Sequence, residues 1–470
     1  MSQIHSFSCT PDLLSKTNFA SQEAFTLLQK CTTFRQLKQI HAKIIRAGLS
    51  HDQLLLRKII NFCSSHDHLE YAALVFHQIP SPLTFTWNLM IRAYTLNASS
   101  HQALLLYTFM MSRGFPPDKF TFPFVIKACA TCSSFHQGHA IHGQSIKAGF
   151  SGDIFVQNTL MDFYFKCGNA HNGRKVFEKM HVRNVVSWTT MVRGLLASGD
   201  LHAARAIFEH MPAKNVVSWT IMIDGYVKNR QPEEAFELFR RMQLDNVSPN
   251  EFTLVSLLKA CTELGSLKLG RWVHDFTLKN GFNLDVFFGT ALIDMYSKCG
   301  SLEGARRVFD KMQARSLATW NSMITSLGVH GFGEEALALF EEMERTDVQP
   351  DAITFVGVLS ACLQTNNLHD GRKYFEYMTE GYGISPIWEH YTCIIELYSR
   401  AGMLDEVGRL VKAMPVKAND EQLWGSNTNG TASVGELDFR KTDDLDCLVA
   451  RKCYNSDQLG WRRVFKWDGG

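Results

Sequence analysis

The heptapeptide VVSWTTM, at Val185–Met191, recurs 31 residues further along the chain as VVSWTIM, at Val216–Met222. Related phrases, TFTWNLM beginning at Thr84 and LATWNSM beginning at Leu317, extend the pattern over most of the sequence. A period of this length is typical of stacked supersecondary units, none of which can bury its apolar face alone. The sequence therefore predicts a repeat array whose function lies along an extended surface rather than in one pocket.

The composition excludes several function classes. Of the 470 residues, 45% are hydrophobic and 20% are charged, and no run of about 18 apolar residues could span a bilayer. The formal net charge of +2 gives no overall attraction to polyanions, so a nucleic acid would have to be held by local Lys and Arg side chains. Twelve Cys without an apolar secretory segment predict reduced thiols in an intracellular or organellar compartment.

The repeats occur at two spacings, about 31 and about 35 residues. Their first residues are Gln53, Thr84, Lys119, Ile154, Val185, Val216, Glu251, Val286, Leu317, Ala352 and Trp388, and the last spacing is 36. A degenerate unit, ending in AGLSHD, precedes the first of them. The array of about 11 to 12 repeats is predicted to occupy residues 21–426.

Each repeat is predicted to be a helical hairpin. The fourth residue is often Trp (Trp87, Trp188, Trp219, Trp320), the twentieth Ala (Ala72, Ala103, Ala204, Ala235, Ala305, Ala336), the twenty-fourth Phe (Phe177, Phe208, Phe239, Phe309, Phe340) and the twenty-seventh Met (Met110, Met180, Met211, Met242, Met312, Met343). Positions 20, 24 and 27 follow the i, i+4, i+7 rule for one face of a second helix. The tract around position 4 forms the first helix, so the predicted class is all-α.

These features resemble the pentatricopeptide repeat family and, more narrowly, its plant subclass with mixed P, L and S repeats. The resemblance rests on the 31 and 35 spacing, the SWT or TWN opening, the KCG turns at Lys166 and Lys298, and Pro-Asp or Pro-Asn endings such as Pro117-Asp118. It covers roughly residues 20 to 426. Tetratricopeptide repeats share the small and aromatic positions, but their period is 34. A tetratricopeptide-like protein scaffold is therefore an alternative that the spacing disfavours.

The resemblance implies a right-handed α-solenoid superhelix that binds single-stranded RNA, one base per repeat. The fifth residue follows the fourth by about 100° of helical rotation, so it can face the groove when the Trp is buried. The last residue of a repeat lies beside the next first helix. Short polar side chains at these two positions can contact the Watson–Crick edge of a base.

The family's code then gives a target sequence. The assignments are Asn88 with Asp118 for U, Asn158 with Asn184 for a pyrimidine, Thr189 with Asn215 and Thr220 with Asn250 for A, Thr290 with Ser316 for a purine, Asn321 with Asp351 for U, and Thr392 with Asn419 or Asp420 for a purine. Pro123, Val255 and Val356 occupy the fifth position of L-type units and offer no strong code. The predicted site is U-n-Y-A-A-n-R-U-n-R. The unit at Gln53, with Arg57 and Leu83, departs from the code.

Two other constellations resemble catalytic or metal sites. Cys129 and Cys132 precede His139 and His142, but only six residues separate the two pairs, and Cys129 and His142 recur at equivalent repeat positions as Cys261 and His274. Repeat packing explains them better than zinc, so no metal or cofactor is predicted. The family's deaminase needs His-x-Glu and Cys-x-x-Cys. His68-Leu-Glu70 lies inside a repeat, and no catalytic residue is predicted.

The two ends of the chain carry separate expectations. The first 34 residues contain no Arg and several Ser, which favours a targeting segment over residues 1–20, for a chloroplast before a mitochondrion. Residues 427–470 lack the helical period and are expected to form a divergent, poorly ordered tail in place of the family's C-terminal extension. The expected role is a specificity factor in organelle RNA editing or processing that acts with editing or processing factors in trans, and transcript protection is the alternative.

Overall fold

The computed structural model describes residues 21–413, with side chains as far as residue 410. The described chain divides into two compact units, one ending at Pro249 and the other beginning at Asn250. The targeting segment expected at 1–20, the end of the array at 414–426, the tail at 427–470 and the candidate base contacts Asn419 and Asp420 lie outside the described residues.

Helical hairpins build both units, which confirms the predicted all-α repeat class. In the first unit, residues 21–29 and Phe34–Arg46 precede the hairpins Gln53–Ser65 with Leu69–His77, Thr84–Leu96 with Ser100–Ser112, Thr121–Thr131 with Phe135–Lys147, Ile154–Lys166 with Ala170–Lys179, Val185–Ala197 with Leu201–Glu209, and Val216–Lys228 with Pro232–Leu244. In the second unit they are Glu251–Leu264 with Leu267–Lys279, Val286–Lys298 with Leu302–Lys311, Leu317–Val329 with Gly333–Glu344, Ala352–Gln364 with Leu368–Glu376, and Trp388–Arg400 with Leu404–Ala413. Among helices in residues 21–413, none is long and apolar enough to cross a bilayer.

The repeated small and apolar positions form the core of each unit. The predicted Ala residues at position 20 are fully buried, and the Phe and Met residues at positions 24 and 27 are at most 5% exposed. Leu238 of the first unit and Leu292 of the second are also fully buried. Small side chains at position 20 let the two helices of a hairpin approach closely, and the larger ones fill the space around them.

The Trp at position 4 packs against the second helix of the preceding repeat, and Trp87 also lies 5.6 Å from Phe109 of its own second helix. Each indole lies edge-on against the Phe or equivalent ring at position 24 of the preceding repeat. The ring centroids are 4.9 Å apart for Phe76–Trp87, 5.1 Å for Phe177–Trp188, 4.9 Å for Phe208–Trp219 and 5.2 Å for Phe309–Trp320. This edge-to-face geometry is favourable for aromatic rings. It arises because each first helix packs against the second helix of the repeat before it.

In two of these aromatic contacts an Arg, two residues before the next repeat begins, covers the Phe ring. The guanidinium of Arg315 lies 4.2 Å from the Phe309 ring centroid, and its Nη2 donates to the Phe309 carbonyl oxygen at 3.1 Å. Arg183 repeats the arrangement, 4.6 Å from the Phe177 ring and 3.0 Å from the Phe177 carbonyl oxygen. The Arg side chain therefore satisfies a helix C-terminus and covers the apolar face at once.

The 36-residue repeat that begins at Ala352 accommodates its extra residue in a π-helical turn, Tyr377–Gly381. Such turns are the usual way of inserting one residue into a helix. The hydroxyls of Tyr377 and Tyr382 both donate to Glu344 Oε1, at 2.9 Å and 2.8 Å. The preceding repeat therefore holds the turn in place.

Glu209 links the second helices of two consecutive repeats in the first unit. Its carboxylate accepts two hydrogen bonds from Arg241, at 2.7 Å and 3.0 Å, and lies 2.7 Å from Arg205 Nε. Hydrogen bonding from Arg241, together with the charges of both guanidiniums, lowers the pKa of Glu209 to about 2.

Replacing Phe340, which is fully buried, with Ala should destabilise the second unit by about 3–5 kcal/mol because the deletion leaves a cavity. Leu278, which is 62% exposed, is the matched control, and Leu278→Ala should change stability by about 0.5 kcal/mol or less. Chemical denaturation followed by circular dichroism measures both. Equal effects for the two variants would contradict the assigned core.

Glu209→Gln should lower stability at neutral pH by about 0.5–1 kcal/mol, because the carboxylate is partly exposed and solvent screens the pair. A depressed pKa stabilises the fold above the unfolded value of 4.5, and this contribution is lost as the pH falls toward about 2. The difference between wild type and variant should therefore disappear over that interval in denaturation measured as a function of pH. A double-mutant cycle with Arg241→Gln isolates the pair, and a difference independent of pH would contradict it.

Candidate nucleic-acid interface

The last residue of most repeats is the N-cap of the next first helix. Its side-chain oxygen accepts a hydrogen bond from the backbone N–H three residues later, and the residue there, Ser or Thr, returns a contact to the backbone of the cap. These capping boxes are Asn184 with Ser187, Asn215 with Ser218, Asn250 with Thr253, Ser316 with Thr319, and Asp351 with Thr354. A cap of this kind contributes about 1 kcal/mol. Base contacts were predicted for these residues from the sequence, and the capping role was not predicted.

Asn321, Asp351 and Thr354 form one hydrogen-bonded cluster in the second unit. Asn321 Nδ2 donates to Asp351 Oδ1 at 2.9 Å. The Thr354 hydroxyl donates to Asn321 Oδ1 at 2.6 Å and accepts from the Asp351 N–H at 3.0 Å. Asn321 is 6% exposed and Asp351 is half-buried. The structure therefore brings the predicted pair together and adds a Thr that the prediction did not include.

The first unit contains the same cluster at Asn88, Asp118 and Thr121. Asn88 Nδ2 donates to Asp118 Oδ1 at 2.8 Å, and the Thr121 hydroxyl donates to Asn88 Oδ1 at 2.6 Å and accepts from the Asp118 N–H at 2.9 Å. Asp118 Oδ1 also accepts from the N–H groups of Phe120 and Thr121. In both clusters one carboxylate oxygen is therefore engaged, and Oδ2 is the oxygen left for another partner.

Asn158 and Asn184 differ from these clusters. Asn158 Oδ1 is buried without a hydrogen-bond partner, which is unusual for a native structure. Asn184 is exposed, and its Oδ1 accepts from the Ser187 N–H at 2.9 Å. The Ser187 hydroxyl lies 3.1 Å from Asn184 Oδ1. The Ser187 hydroxyl thus contacts the cap residue Asn184 rather than the amide of Asn158 at the fifth position.

The Thr residues at the fifth position bond to their own helices. The Thr189 hydroxyl donates to the Val186 carbonyl at 3.0 Å, and that of Thr392 donates to the Trp388 carbonyl at 3.0 Å. Thr290 donates to the Val286 carbonyl at 2.7 Å and lies 2.8 Å from the Thr319 hydroxyl. A hydroxyl has a single proton, so each of these side chains retains only acceptor capacity. Thr220 and Asn250 fall in different units, and both are half-buried.

Exposed apolar side chains occupy the second position of the repeats, three residues before the fifth position. In the first unit they are Leu54, Phe85, Phe120, Phe155, Val186 and Val217, and in the second unit Phe252, Phe287 and Ile353, all between 43% and 71% exposed. Phe252 and Phe287 lie 5.4 Å apart by ring centroids. Positions three apart share one helix face. Sequence reasoning missed this row, although its apolar letter recurs at position 2 in most repeats.

Arg57, the fifth residue of the repeat that does not fit the base code, also belongs to this surface. Its guanidinium lies 4.6 Å from the centroid of Phe85, the second residue of the next repeat. An Arg over an aromatic ring is a stable cation–π arrangement. The first unit therefore presents a cation at a place where other repeats present a short polar side chain.

Lys residues at position 13 supply local positive charge. Lys166, Lys228 and Lys298 are 53%, 70% and 60% exposed and form i,i+4 salt bridges of 2.8, 2.7 and 3.0 Å with Asp162, Asp224 and Asp294. Exposed pairs of this kind are weak. These ammonium groups could therefore exchange their carboxylate for a phosphate at small free-energy cost.

The Cys and His residues that resemble zinc ligands have other contacts. Cys129 is fully buried, and burial raises the pKa of its thiol to about 12. The Nδ1 atoms of His139 and His142 lie 3.0 Å and 2.7 Å from the Tyr164 hydroxyl. His274 repeats the contact with Tyr296 at 2.9 Å. Both the His and the Tyr positions thus recur as a packing pair between an L-type repeat and the next one.

Comparison with known proteins gives consistent results. The model of the PPR repeat family matches residues 82–131, 214–263 and 315–364, and the PPR repeat model matches 158–185, 186–216, 290–317 and 389–417. The chain is 57% identical over 445 residues to the chloroplastic pentatricopeptide repeat-containing protein At3g26630 of Arabidopsis thaliana, covering 93% of this chain and 98% of that protein. It is 37% identical to the Arabidopsis thaliana pentatricopeptide repeat-containing protein At2g20540, covering 87% and 77%.

Solved structures with the same fold include the pentatricopeptide repeat protein PPR10 from maize. The crystal structure of PPR10 superposes with a TM-score of 0.57 at 16% identity, covering 88% of this chain and 66% of that chain. A Cys-to-Ser variant of PPR10, solved in complex with an 18-nt PSAJ RNA element, superposes with a TM-score of 0.56 at 18% identity, covering 87% and 69%. At these identities the likeness concerns the fold.

Proposed function

The chain belongs to the pentatricopeptide repeat family, and from that premise we propose that it binds single-stranded RNA sequence-specifically, one base per repeat. The exposed apolar row at position 2 carries this proposal. Exposed Phe, Val, Leu and Ile side chains are unfavourable in water, yet they recur at one position in each unit and lie on the helix face of the fifth residue. Base stacking on such side chains is a general basis of single-strand binding. The bases would thereby be brought beside the polar pairs.

The atoms left unpaired by capping support the assignment of A. Thr189 has used its proton within its helix and can only accept, whereas the Asn215 cap uses its Oδ1 on the Ser218 N–H and retains Nδ2 as a donor. Adenine presents the complementary pattern, an amino donor at N6 and an acceptor at N1. Guanine presents an acceptor and a donor in the opposite order. The geometry of this pair therefore favours A over G.

The atoms left at the Asn–Asp pairs support the assignment of U. Asn321 retains one Nδ2 proton, and Asp351 retains Oδ2 as an acceptor. Uracil offers a carbonyl acceptor at O4 beside the N3–H donor, which matches this pattern, whereas cytosine offers a donor and an acceptor in the opposite order. The equivalent atoms at Asn88 and Asp118 make the same selection. A bidentate contact of this kind discriminates by about 1–3 kcal/mol.

We further propose that the chain is of the subclass with P, L and S repeats and acts as a specificity factor in organelle RNA editing or processing, without a catalytic step of its own. The chloroplastic relative supports a plastid. Comparison of plastid transcripts from wild-type and null plants, for lost C-to-U conversion or altered ends, separates editing from protection or processing. A fluorescent fusion of residues 1–60 found in the cytosol would refute the plastid assignment.

The oligonucleotide U-n-Y-A-A-n-R-U-n-R should bind the chain more tightly than its scrambled version. The substitution Phe287→Ala should weaken binding of this oligonucleotide by about 1–3 kcal/mol, because a stacking contact with a base is lost. Fluorescence anisotropy at two salt concentrations measures both, and affinity should fall as salt rises. The control is Leu278→Ala on a second helix, which should bind like wild type. Equal binding of the decoded and the scrambled oligonucleotide would contradict the base assignments.

Asn321→Thr should move the preference at the eighth nucleotide from U toward a purine. The substitution replaces an amide donor with a hydroxyl, which in this position bonds to its own helix as Thr189 does. We expect a change of about 1–3 kcal/mol in relative affinity, measured with four RNAs that differ only at that nucleotide. An unchanged preference would show that Asn321 does not contact the base.

A further inference from the structure

A Thr at the third position of a repeat donates to an Asn at the fifth position of the repeat before it in two places. Thr354 donates to Asn321 Oδ1 at 2.6 Å in the second unit, and Thr121 donates to Asn88 Oδ1 at 2.6 Å in the first unit. Both Thr side chains are fully buried. The two clusters reproduce each other in separate parts of the chain. Thr290 and Thr319 make the equivalent contact between two hydroxyls at 2.8 Å, so the feature of the two Asn–Asp repeats is a Thr hydroxyl against the amide oxygen.

We propose that Thr121 and Thr354 are positioning residues that make the preceding repeat select uracil over cytosine. This inference rests on the proposed RNA-binding function. Each Thr hydroxyl receives the Asp backbone N–H. Its own proton has two acceptors within reach, the Asn amide oxygen at 2.6 Å and Asp Oδ1 at 3.0 Å, and the shorter contact is with the amide oxygen. The amide is then held with its oxygen engaged by Thr and its nitrogen facing the Asp carboxylate. Only Nδ2 has a proton left to offer a base.

The consequence concerns the group at C4, one of the two groups on this edge that distinguish the pyrimidines. Cytosine carries an amino donor at N4, where uracil carries a carbonyl acceptor. An Asn oxygen that is free can accept from the cytosine amino group, whereas an oxygen engaged by Thr cannot accept without competing. Thr121 and Thr354 therefore close the route by which Asn would tolerate cytosine.

Asn158 supplies the internal contrast. The residue at the third position of the next repeat is Ser187, and its hydroxyl lies against Asn184, the cap residue. Asn158 Oδ1 has no hydrogen-bond partner. The amide of Asn158 is thus not held by a third-position hydroxyl, and this repeat lacks the contact that we propose to restrict the Asn–Asp repeats to uracil.

The test uses the full chain and ten-nucleotide RNAs of the decoded sequence, with U or C at the first or the eighth nucleotide and adenine at the unspecified positions. The proteins are wild type, Thr354→Val, Thr354→Ser and Thr121→Val. Val keeps the shape of Thr and removes the hydroxyl, whereas Ser keeps the hydroxyl. The readout is the ratio of affinities for U and C at each nucleotide, with thermal melting to check that each variant is folded.

For Thr354→Val we expect the U-to-C ratio at the eighth nucleotide to fall about fivefold, which corresponds to one lost hydrogen bond, while the ratio at the first nucleotide is unchanged. Thr121→Val should show the reverse, and Thr354→Ser should behave like wild type. If one Val variant does not fold, the other carries the same test in the other unit.

A purely structural role for the Thr would weaken binding to the U and C RNAs equally and leave their ratio unchanged, and that result would overturn the inference. Loss of the ratio in Thr354→Ser would overturn it as well. Wild-type protein that binds RNA without preferring U at either nucleotide would instead overturn the base code, and the inference with it. Wild-type protein that binds no RNA would refute the proposed function itself.

Discussion

The hydrogen bond that caps most of the first helices constrains both the stacking of repeats and the chemistry of the repeat ends. At Asp351, Oδ1 accepts from the Thr354 N–H at 2.9 Å, and at Asn184, Oδ1 accepts from the Ser187 N–H at 2.9 Å. The N-terminal N–H groups of a helix have no partner within it. A short polar residue at the end of a repeat supplies that partner, and one of its side-chain oxygens is then engaged by the next helix, whereas Leu83 and Ile387 end their repeats without a side-chain cap.

This constraint determines which atoms can read a base. An Asn cap gives its oxygen to the helix and keeps a donor, whereas an Asp cap keeps an acceptor. The fifth residue is restricted in the same way, because Thr189 gives its proton to the Val186 carbonyl and Asn321 is engaged on both sides of its amide. Capping thus leaves different atoms free on Asn and on Asp, so each cap type has one hydrogen-bond polarity left for the base contact that we propose.

The architecture was predictable from the sequence because burial follows periodicity. Ala336, Phe340 and Met343 stand at i, i+4 and i+7 and are all fully buried. The hairpin boundaries follow too, although the first helix after Lys119 begins at Thr121. The placement of Trp320 against the preceding repeat was not predictable, since periodicity identifies the buried face of a helix and does not identify the helix that covers it.

The residue types at the candidate base-contacting positions were predictable from the sequence, whereas the hydrogen-bond donors and acceptors that these side chains have free were not. Asn158 and Asn321 are the same residue at the same repeat position, yet one amide oxygen is unpartnered and the other accepts from Thr354. The difference depends on a residue more than 25 positions away in the sequence.

Selection of RNA from a randomised pool by the full-length protein tests the account most directly. It predicts enrichment of a ten-nucleotide motif with U at the first and eighth positions and A at the fourth and fifth. Recovered RNAs without any positional preference would contradict it.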